Sequence, residues 1–124
     1  MEEMQIEIPQ ELQGYNYKVT HFTPAELEVD MTIDEMKIAT LKDSIRAKGR
    51  ITEPVFIWFD GQKHHIINGM HRTYCAKQLA DEAPNLLIPA VIIDCDEATF
   101  LGARVIAASP HIAIKESRIN DCIS

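Results

Sequence analysis

Residues 68–79 read NGMHRTYCAKQL. This stretch follows an apolar pair at 66–67 that is typical of a strand, and it opens a run with helical character. Gly69 stands at the junction, and His71 and Arg72 fall in the first helical turn. Because the N-terminus of a helix presents unpaired N–H groups and the positive end of the helix dipole, it attracts anions. The stretch therefore predicts a strand–glycine–helix unit with a phosphate site.

Four residues of this stretch are candidates for contact with phosphate. Gly69 lets the backbone approach an anion closely. Arg72 offers a planar fork of donors, and His71 adds a donor whose charge changes near neutral pH. Thr73 adds a hydroxyl or an N–H group in the first turn. The plainer interpretation, an exposed arginine beside a helix-capping histidine, stays open at this point.

The pattern Gly-x-His-Arg at the start of a helix resembles the signature of the ParB/sulfiredoxin superfamily. That segment reads Gly-Glu-Arg-Arg in ParB proteins, Gly-Cys-His-Arg in sulfiredoxins and Gly-His-His-Arg in free-serine kinases. Residues 41–54 also resemble the segment that precedes the signature, a helix followed by a glycine and a proline, and 88–94 resemble the strand that follows it. The resemblance covers residues 17–108. It implies an α/β (α+β) fold, a small mixed sheet with covering helices.

The resemblance implies that Gly69, His71 and Arg72 hold the phosphates of a nucleotide, ATP or CTP. The loop with Gly49 and Thr52 would then lie against the nucleotide, although Gly49 is equally explained as a helix C-cap. If the domain is catalytic, the expected chemistry is NTP hydrolysis or phosphoryl transfer with Mg²⁺. The alternatives are a DNA-partition or transcription-regulator module, binding DNA through a partner or a missing domain, and a ParB-like nuclease.

Two carboxylates are candidates for the catalytic base. Glu53 stands where ParB proteins usually carry Gln, and a carboxylate there repels phosphates unless a metal intervenes, so Glu53 is a candidate base or Mg²⁺ ligand. Glu26 follows Thr23-Pro24, where the kinase relatives carry an acidic pair that includes their base. A capping box with Thr23 also explains Glu26. No complete set of metal ligands is evident in the sequence.

Two departures from the superfamily narrow its activities. Met70 stands where sulfiredoxins carry their reactive cysteine, and a thioether forms no thiolate, so sulfinic acid reduction is not expected. Cys75 is expected to pack as a small apolar residue. Residues 108–115 lack the Glu-Asn pair with which ParB proteins ligate magnesium, so metal binding of that kind is not expected.

Length and composition favour one soluble domain of 124 residues. The formal net charge of −7 argues against broad nucleic-acid binding by this chain alone. Three cysteines without a Cys-x-x-Cys pair indicate reduced thiols in the cytoplasm. No apolar run approaches the ~20 residues of a membrane span. The sequence leaves a homodimer open.

The chain is expected to comprise an N-terminal arm at 1–16, a domain at 17–110 and a C-terminal segment at 111–124 with helical signals. Capping boxes at Thr23 and Thr32 predict helix starts, and Lys48-Gly49 predicts a helix end. Asp96 is expected to cap a helix that ends near Pro110. Alternation and β-forming residues predict strands at 17–21, 55–59, 63–67 and 88–93, with a two-residue hairpin turn at 60–61 and the motif helix at 70–80.

Overall fold

A computed structural model describes residues 6–30 and 33–108 of the chain. Its sheet contains the strands β1 (Asn16–Phe22), β2 (Val55–Phe59), β3 (His64–Asn68) and β4 (Ile88–Asp94). Its α-helices are α1 (Glu35–Lys48), α2 (Met70–Leu79) and α3 (Glu97–Ala108), and short 3₁₀ helices cover Gln10–Leu12 and Pro24–Glu26. The predicted α+β class is confirmed, and each predicted strand lies within two residues of an observed one.

The strands lie in the order β1-β4-β2-β3, so the sheet is mixed. β1 pairs with β4 and β2 pairs with β3 in antiparallel fashion, whereas β2 and β4 are parallel neighbours. A parallel pair needs a long crossover, and here the connection from β2 to β4 contains β3 and α2. The signature helix is therefore part of the crossover that builds the centre of the sheet.

Helices cover both faces of the sheet. Alternate residues of β2 point to opposite sides, so Val55 and Ile57 pack towards α1 and α2, while Phe56 packs towards α3. The second face is closed by Phe100 of α3 and by Leu12, which is fully buried although it precedes β1. The segment before the first strand thus contributes to the core. The domain boundaries themselves stay a prediction.

The ends of α1 match the sequence signals in part. The helix ends at Lys48, and Gly49 adopts the left-handed conformation at φ 76° with its N–H donating to the carbonyl of Ile45 at 2.8 Å. The N-cap is Asp34, whereas Thr32, from which the helix start was predicted, lies outside the described residues. The carboxylate of Asp34 accepts the N–H of Met36 at 3.0 Å, which satisfies a donor of the first turn.

The hairpin between β2 and β3 is longer than predicted. Its connection covers residues 60–63 rather than the two residues at 60–61. The carboxylate of Asp60 accepts the N–H groups of Gln62 and Lys63, both at 2.7 Å, and the N–H of Asp60 donates to the carbonyl of Lys63 at 3.1 Å. The side chain of Asp60 closes the turn, which a count of turn-forming residues does not show.

The start of α3 agrees with the sequence, since Asp96 accepts the N–H of Thr99 at 2.8 Å. The segment at 111–124 lies outside the described residues. Among the helices that the structure describes, none is long and apolar enough to cross a membrane.

Candidate functional site

The signature helix starts in very close contact with the neighbouring strand. Gly69 has φ 111° and ψ 23°, a conformation that residues with a side chain rarely adopt. A Cβ atom on Gly69 would lie 2.5 Å from Cγ1 of Val55 and 2.8 Å from its Cβ. Only glycine fits this junction, so the packing of α2 on β2 explains Gly69 without reference to a ligand.

Arg72 is the most constrained side chain of the signature. Its Nη1 donates to the carbonyl of Pro54 at 3.0 Å, and its Nη2 donates to Oε1 of Glu53 at 3.2 Å. The Arg72 side chain is 23% exposed, whereas that of Glu53 is 64% exposed. Burial lowers the pKa of Arg72, and the nearby Glu53 acts in the opposite direction. The guanidinium is therefore held against the loop that leads into β2.

Two cavities meet at the Arg72–Glu53 pair, which lines both. The smaller measures about 150 Å³ and is also lined by Lys48, Arg50 and Thr52. The larger measures about 400 Å³ and is also lined by Glu7, Pro54, Phe56 and Asn68. The smaller cavity thus adds two cationic side chains and the hydroxyls of Thr52 and Ser44, whereas the larger adds a carboxylate, an amide and an aromatic ring. We call the two cavities together the groove. Its cationic end is the smaller cavity with Lys48 and Arg50, its acidic end is the larger cavity with Glu7, and the Arg72–Glu53 pair lies between them.

His71 does not take the predicted role of a phosphate donor through its Nε2 atom. That atom accepts the backbone N–H of Asp34 at 3.0 Å, so it carries no proton. Burial lowers the pKa of His71, the nearby Lys37 lowers it further, and Asp34 acts in the opposite direction. A neutral His71 therefore ties the first turn of α2 to the N-cap of α1.

Thr73 is also turned away from the groove. It is fully buried, and its hydroxyl donates to the carbonyl of Gly69 at 3.0 Å. Its N–H donates to the same carbonyl at 2.9 Å. Both donors that the sequence offered to a phosphate are used within the helix.

The loop after α1 contributes in part. Thr52 lines the smaller cavity together with Arg72. Gly49 forms the C-cap described above, and a Cβ atom on it would meet no atom within 4 Å. The helix end accounts for this glycine, while the cationic lining comes from its neighbours Lys48 and Arg50.

Glu26 lies apart from Arg72. Its Oε1 accepts the N–H of Thr23 at 2.7 Å and the hydroxyl of Thr23 at 3.1 Å, which is the predicted capping box. Lys77, later in α2 than Arg72, donates to the carbonyl of Pro24 at 2.7 Å and anchors this turn. Among the described residues, Glu26 lines neither cavity of the groove.

The groove offers few ligands for a metal ion. Within residues 6–30 and 33–108, no group of three or more His, Cys, Asp or Glu side chains is placed to hold one. Glu7 and Glu53 both line the larger cavity. Mg²⁺ is commonly bound by one or two carboxylates together with phosphate oxygens and water. Two carboxylates at this cavity are compatible with Mg²⁺ that arrives with a nucleotide.

The thiol chemistry of sulfiredoxins has no counterpart at this helix. Met70, the first residue of α2, is 4% exposed and packs in the core that α1 and α2 form with the sheet. Cys75 is fully buried, burial raises the pKa of its thiol, and its Sγ lies 3.7 Å from the carbonyl of Ile38. Cys75 is thus the small apolar residue that the sequence predicted.

Two parts of the site were missed by the sequence. The carbonyl of Pro54 receives Arg72 across 18 positions, and Glu7 joins the groove from before the first strand. No local pattern marks either residue. The proline was recognised only as part of the family-like segment at 41–54.

Both the sequence and the fold resemble those of known proteins. The family model of the ParB N-terminal domain matches residues 5–109. A structure of the C-terminally truncated chromosome-partitioning protein ParB from Caulobacter crescentus, complexed with CTP-gamma-S, is similar in fold with a TM-score of 0.55. That similarity covers 75% of this chain at 19% identity, and this chain spans 53% of that one.

A search of curated protein sequences found no match. At 19% identity the Caulobacter structure supports the fold alone. The family model, in contrast, spans most of the sequence, including the signature and both flanking segments. It also confirms the resemblance on which the superfamily prediction depended. The chain belongs to the ParB N-terminal domain family.

Proposed function

We propose that this domain binds a nucleoside triphosphate in the groove at the N-terminus of α2. The observation that carries the proposal is Arg72, whose guanidinium lies mostly buried between two cavities with both Nη atoms directed at acceptors. A planar guanidinium suits phosphate oxygens, and the first N–H groups of a helix have no carbonyl partner within it. The larger cavity, about 400 Å³, is within the range of small-molecule sites.

The charges of the groove favour one orientation of the nucleotide. The smaller cavity carries Lys48 and Arg50 in addition to Arg72, so the phosphates are assigned to that end. The larger cavity carries the Phe56 ring and the Asn68 amide, which suit the base and the ribose. CTP is the first nucleotide to test, because the Caulobacter relative was solved with CTP-gamma-S. ATP is the second.

A chemical step, if the domain performs one, is assigned to Glu53. Its exposed carboxylate lies beside Arg72, where it can orient a water molecule or an acceptor hydroxyl. Arg72 would hold the phosphate. In phosphoryl transfer, most of the rate enhancement comes from positioning the reacting groups and from stabilising the charge on the phosphate. Mg²⁺ bound with the nucleotide would neutralise phosphate charge. Glu26 has no part in this proposal because its carboxylate is used in the capping box.

The test is a titration of the protein with CTP, ATP and CDP in the presence of Mg²⁺. Calorimetry measures the Kd, and thermal unfolding measures the stabilisation by each nucleotide. Ligand at ~100 times its Kd stabilises a fold by about 2.7 kcal/mol, which is easily measured. We expect Arg72→Ala to abolish binding. Arg46→Ala is the matched control, since Arg46 also forms an arginine–glutamate pair, with Glu82 at 3.0 and 3.2 Å. Equal affinity of wild type and Arg72→Ala would overturn the proposal.

A second proposal is that the domain acts as part of a chromosome-partitioning protein on DNA. Family membership favours it, and the formal net charge of −7 opposes direct contact by this chain. Retention of a DNA duplex at physiological salt would support it. Binding that disappears between 50 and 150 mM salt would be non-specific and would count against it.

A further inference from the structure

The carboxylate of Glu53 occupies the position on Arg72 that a phosphate of the proposed nucleotide would take. Arg72 directs Nη1 to the carbonyl of Pro54 and Nη2 to Oε1 of Glu53. A phosphate oxygen and a carboxylate oxygen compete for the same kind of donor. The carboxylate of Glu53 is therefore an internal anion, and it lies where the two cavities meet.

The two partners of Arg72 differ in how readily they can leave. Pro54 is buried at the entry to β2, so its carbonyl is fixed by the backbone. The Glu53 side chain is 64% exposed and can rotate into solvent. Solvent around the exposed carboxylate screens its attraction to Arg72, although the guanidinium itself is mostly buried. The Nη2 end of the fork is consequently the exchangeable end.

We infer that Glu53 is an internal competitor that weakens binding of metal-free nucleotide and makes the site selective for the metal complex. This inference rests on the proposed function. A metal-free triphosphate must displace the Glu53 carboxylate and then lie beside it, and the two anions repel each other. A nucleotide that carries Mg²⁺ has less net negative charge. It also presents the displaced carboxylate with a cation of the type that oxygen ligands prefer.

The surrounding charges give Glu53 this effect. Lys48 and Arg50 line the end of the groove to which the phosphates are assigned. At the other end Glu7 adds a second carboxylate. Glu53 lines both cavities. Its charge therefore lies where a nucleotide that spans the two cavities would place its phosphate chain. Neutralising Glu53 is expected to remove the negative charge that separates the cationic end from the rest of the groove.

The test compares Glu53→Gln with wild type by calorimetric titration of CTP and ATP, each with EDTA and with Mg²⁺ at constant ionic strength. Glutamine keeps the size of the side chain and removes its charge. We expect Kd for metal-free nucleotide to fall about tenfold, equivalent to about 1.4 kcal/mol. The ratio of the Kd values without and with Mg²⁺ should fall as well.

Glu82→Gln is the matched control. It removes one negative charge from a pair with Arg46 that lies outside both cavities, so it changes net charge equally. We expect its Kd values to equal those of wild type. A similar gain in Glu82→Gln would show that net charge alone acts, and would overturn the inference. Urea unfolding of both variants checks that each is folded.

The remaining outcomes separate the inference from the proposed function. If wild type binds nucleotide and Arg72→Ala does not, but Glu53→Gln behaves as wild type, the site stands and the inference is wrong. If only Glu53→Gln binds, the inference is supported in its strongest form. If no variant binds any nucleotide at millimolar concentration, both the inference and the proposed function are overturned.

Discussion

The Nε2 atom of His71 accepts the backbone N–H of Asp34 at 3.0 Å and thereby joins the starts of two helices. Asp34 is the N-cap of α1, and His71 lies in the first turn of α2. One imidazole thus fixes the relation between the helix that precedes the groove and the helix that carries Arg72. The bond requires a neutral ring, because a protonated Nε2 cannot accept.

The first prediction concerns pH. The pKa of His71 is lowered from 6.5 in the folded state, by burial first and then by Lys37. The unfolded chain therefore binds more protons below about pH 6.5, and stability falls as pH drops through that region. His71→Gln, which can still accept a hydrogen bond, should reduce the loss of unfolding free energy between pH 7.5 and pH 5.

The control for this measurement is a second histidine whose pKa is also lowered by burial. His64 lies on β3, where its ring contacts Phe22 and Phe59. His64→Gln should remove a separate part of the pH dependence. Urea denaturation curves of the two variants and the double variant measure both parts. If the unfolding free energy of His71→Gln depends on pH as that of wild type does, His71 is not a buried neutral acceptor.

The second prediction concerns the shape of the cation at position 72. Lysine keeps the charge but cannot donate in a planar fork to Pro54 and to a phosphate at once. We expect Arg72→Lys to weaken nucleotide binding at least about tenfold, a loss of about 1.4 kcal/mol. Competition titration with a fluorescent nucleotide gives the Kd. Full affinity in the lysine variant would mean that charge alone is recognised.

The third prediction concerns the junction at Gly69. Gly69→Ala combines an unfavourable φ of 111° with a Cβ atom 2.5 Å from Cγ1 of Val55, and we expect a loss of about 2–5 kcal/mol. Gly61→Ala is the matched control, since Gly61 has φ 102° and open space around a Cβ. Its cost should be only the backbone strain, about 1–2 kcal/mol. Equal losses in urea unfolding would show that the contact with Val55 is unimportant.

The fourth prediction separates Thr73 from the ligand. Thr73→Val removes a hydroxyl that donates to the carbonyl of Gly69, which still receives the N–H of the same residue. We expect a loss of about 0.5–1 kcal/mol in unfolding free energy. The nucleotide Kd should change less than twofold. A large change in Kd at unchanged stability would restore Thr73 as a phosphate ligand.

The sequence predicted well the features that depend on neighbouring residues. The bounds of β2 agree with its run of β-forming residues, and Gly49 and Asp96 mark helix ends because caps are local. The family signature supplied the order of elements around them. The mixed sheet then follows, since β2 and β4 become parallel neighbours across the crossover that contains α2.

The sequence could not predict the features that join distant segments. His71 meets Asp34 across 37 positions, and Arg72 meets Glu53 across 19. The partners of the signature residues depend on how α1 and the loop before β2 pack against α2. The burial of Thr73 follows from the same packing, so the sequence did not show it.

The tight contact between Gly69 and Val55 changes how this signature should be used to classify sequences. The glycine is required by the closeness of a helix to a strand, so a descendant that no longer binds any nucleotide would still need it. Arg72 and the charge at position 53 are under no such backbone constraint. The glycine therefore traces common descent of the scaffold, and its presence alone carries no information about a ligand.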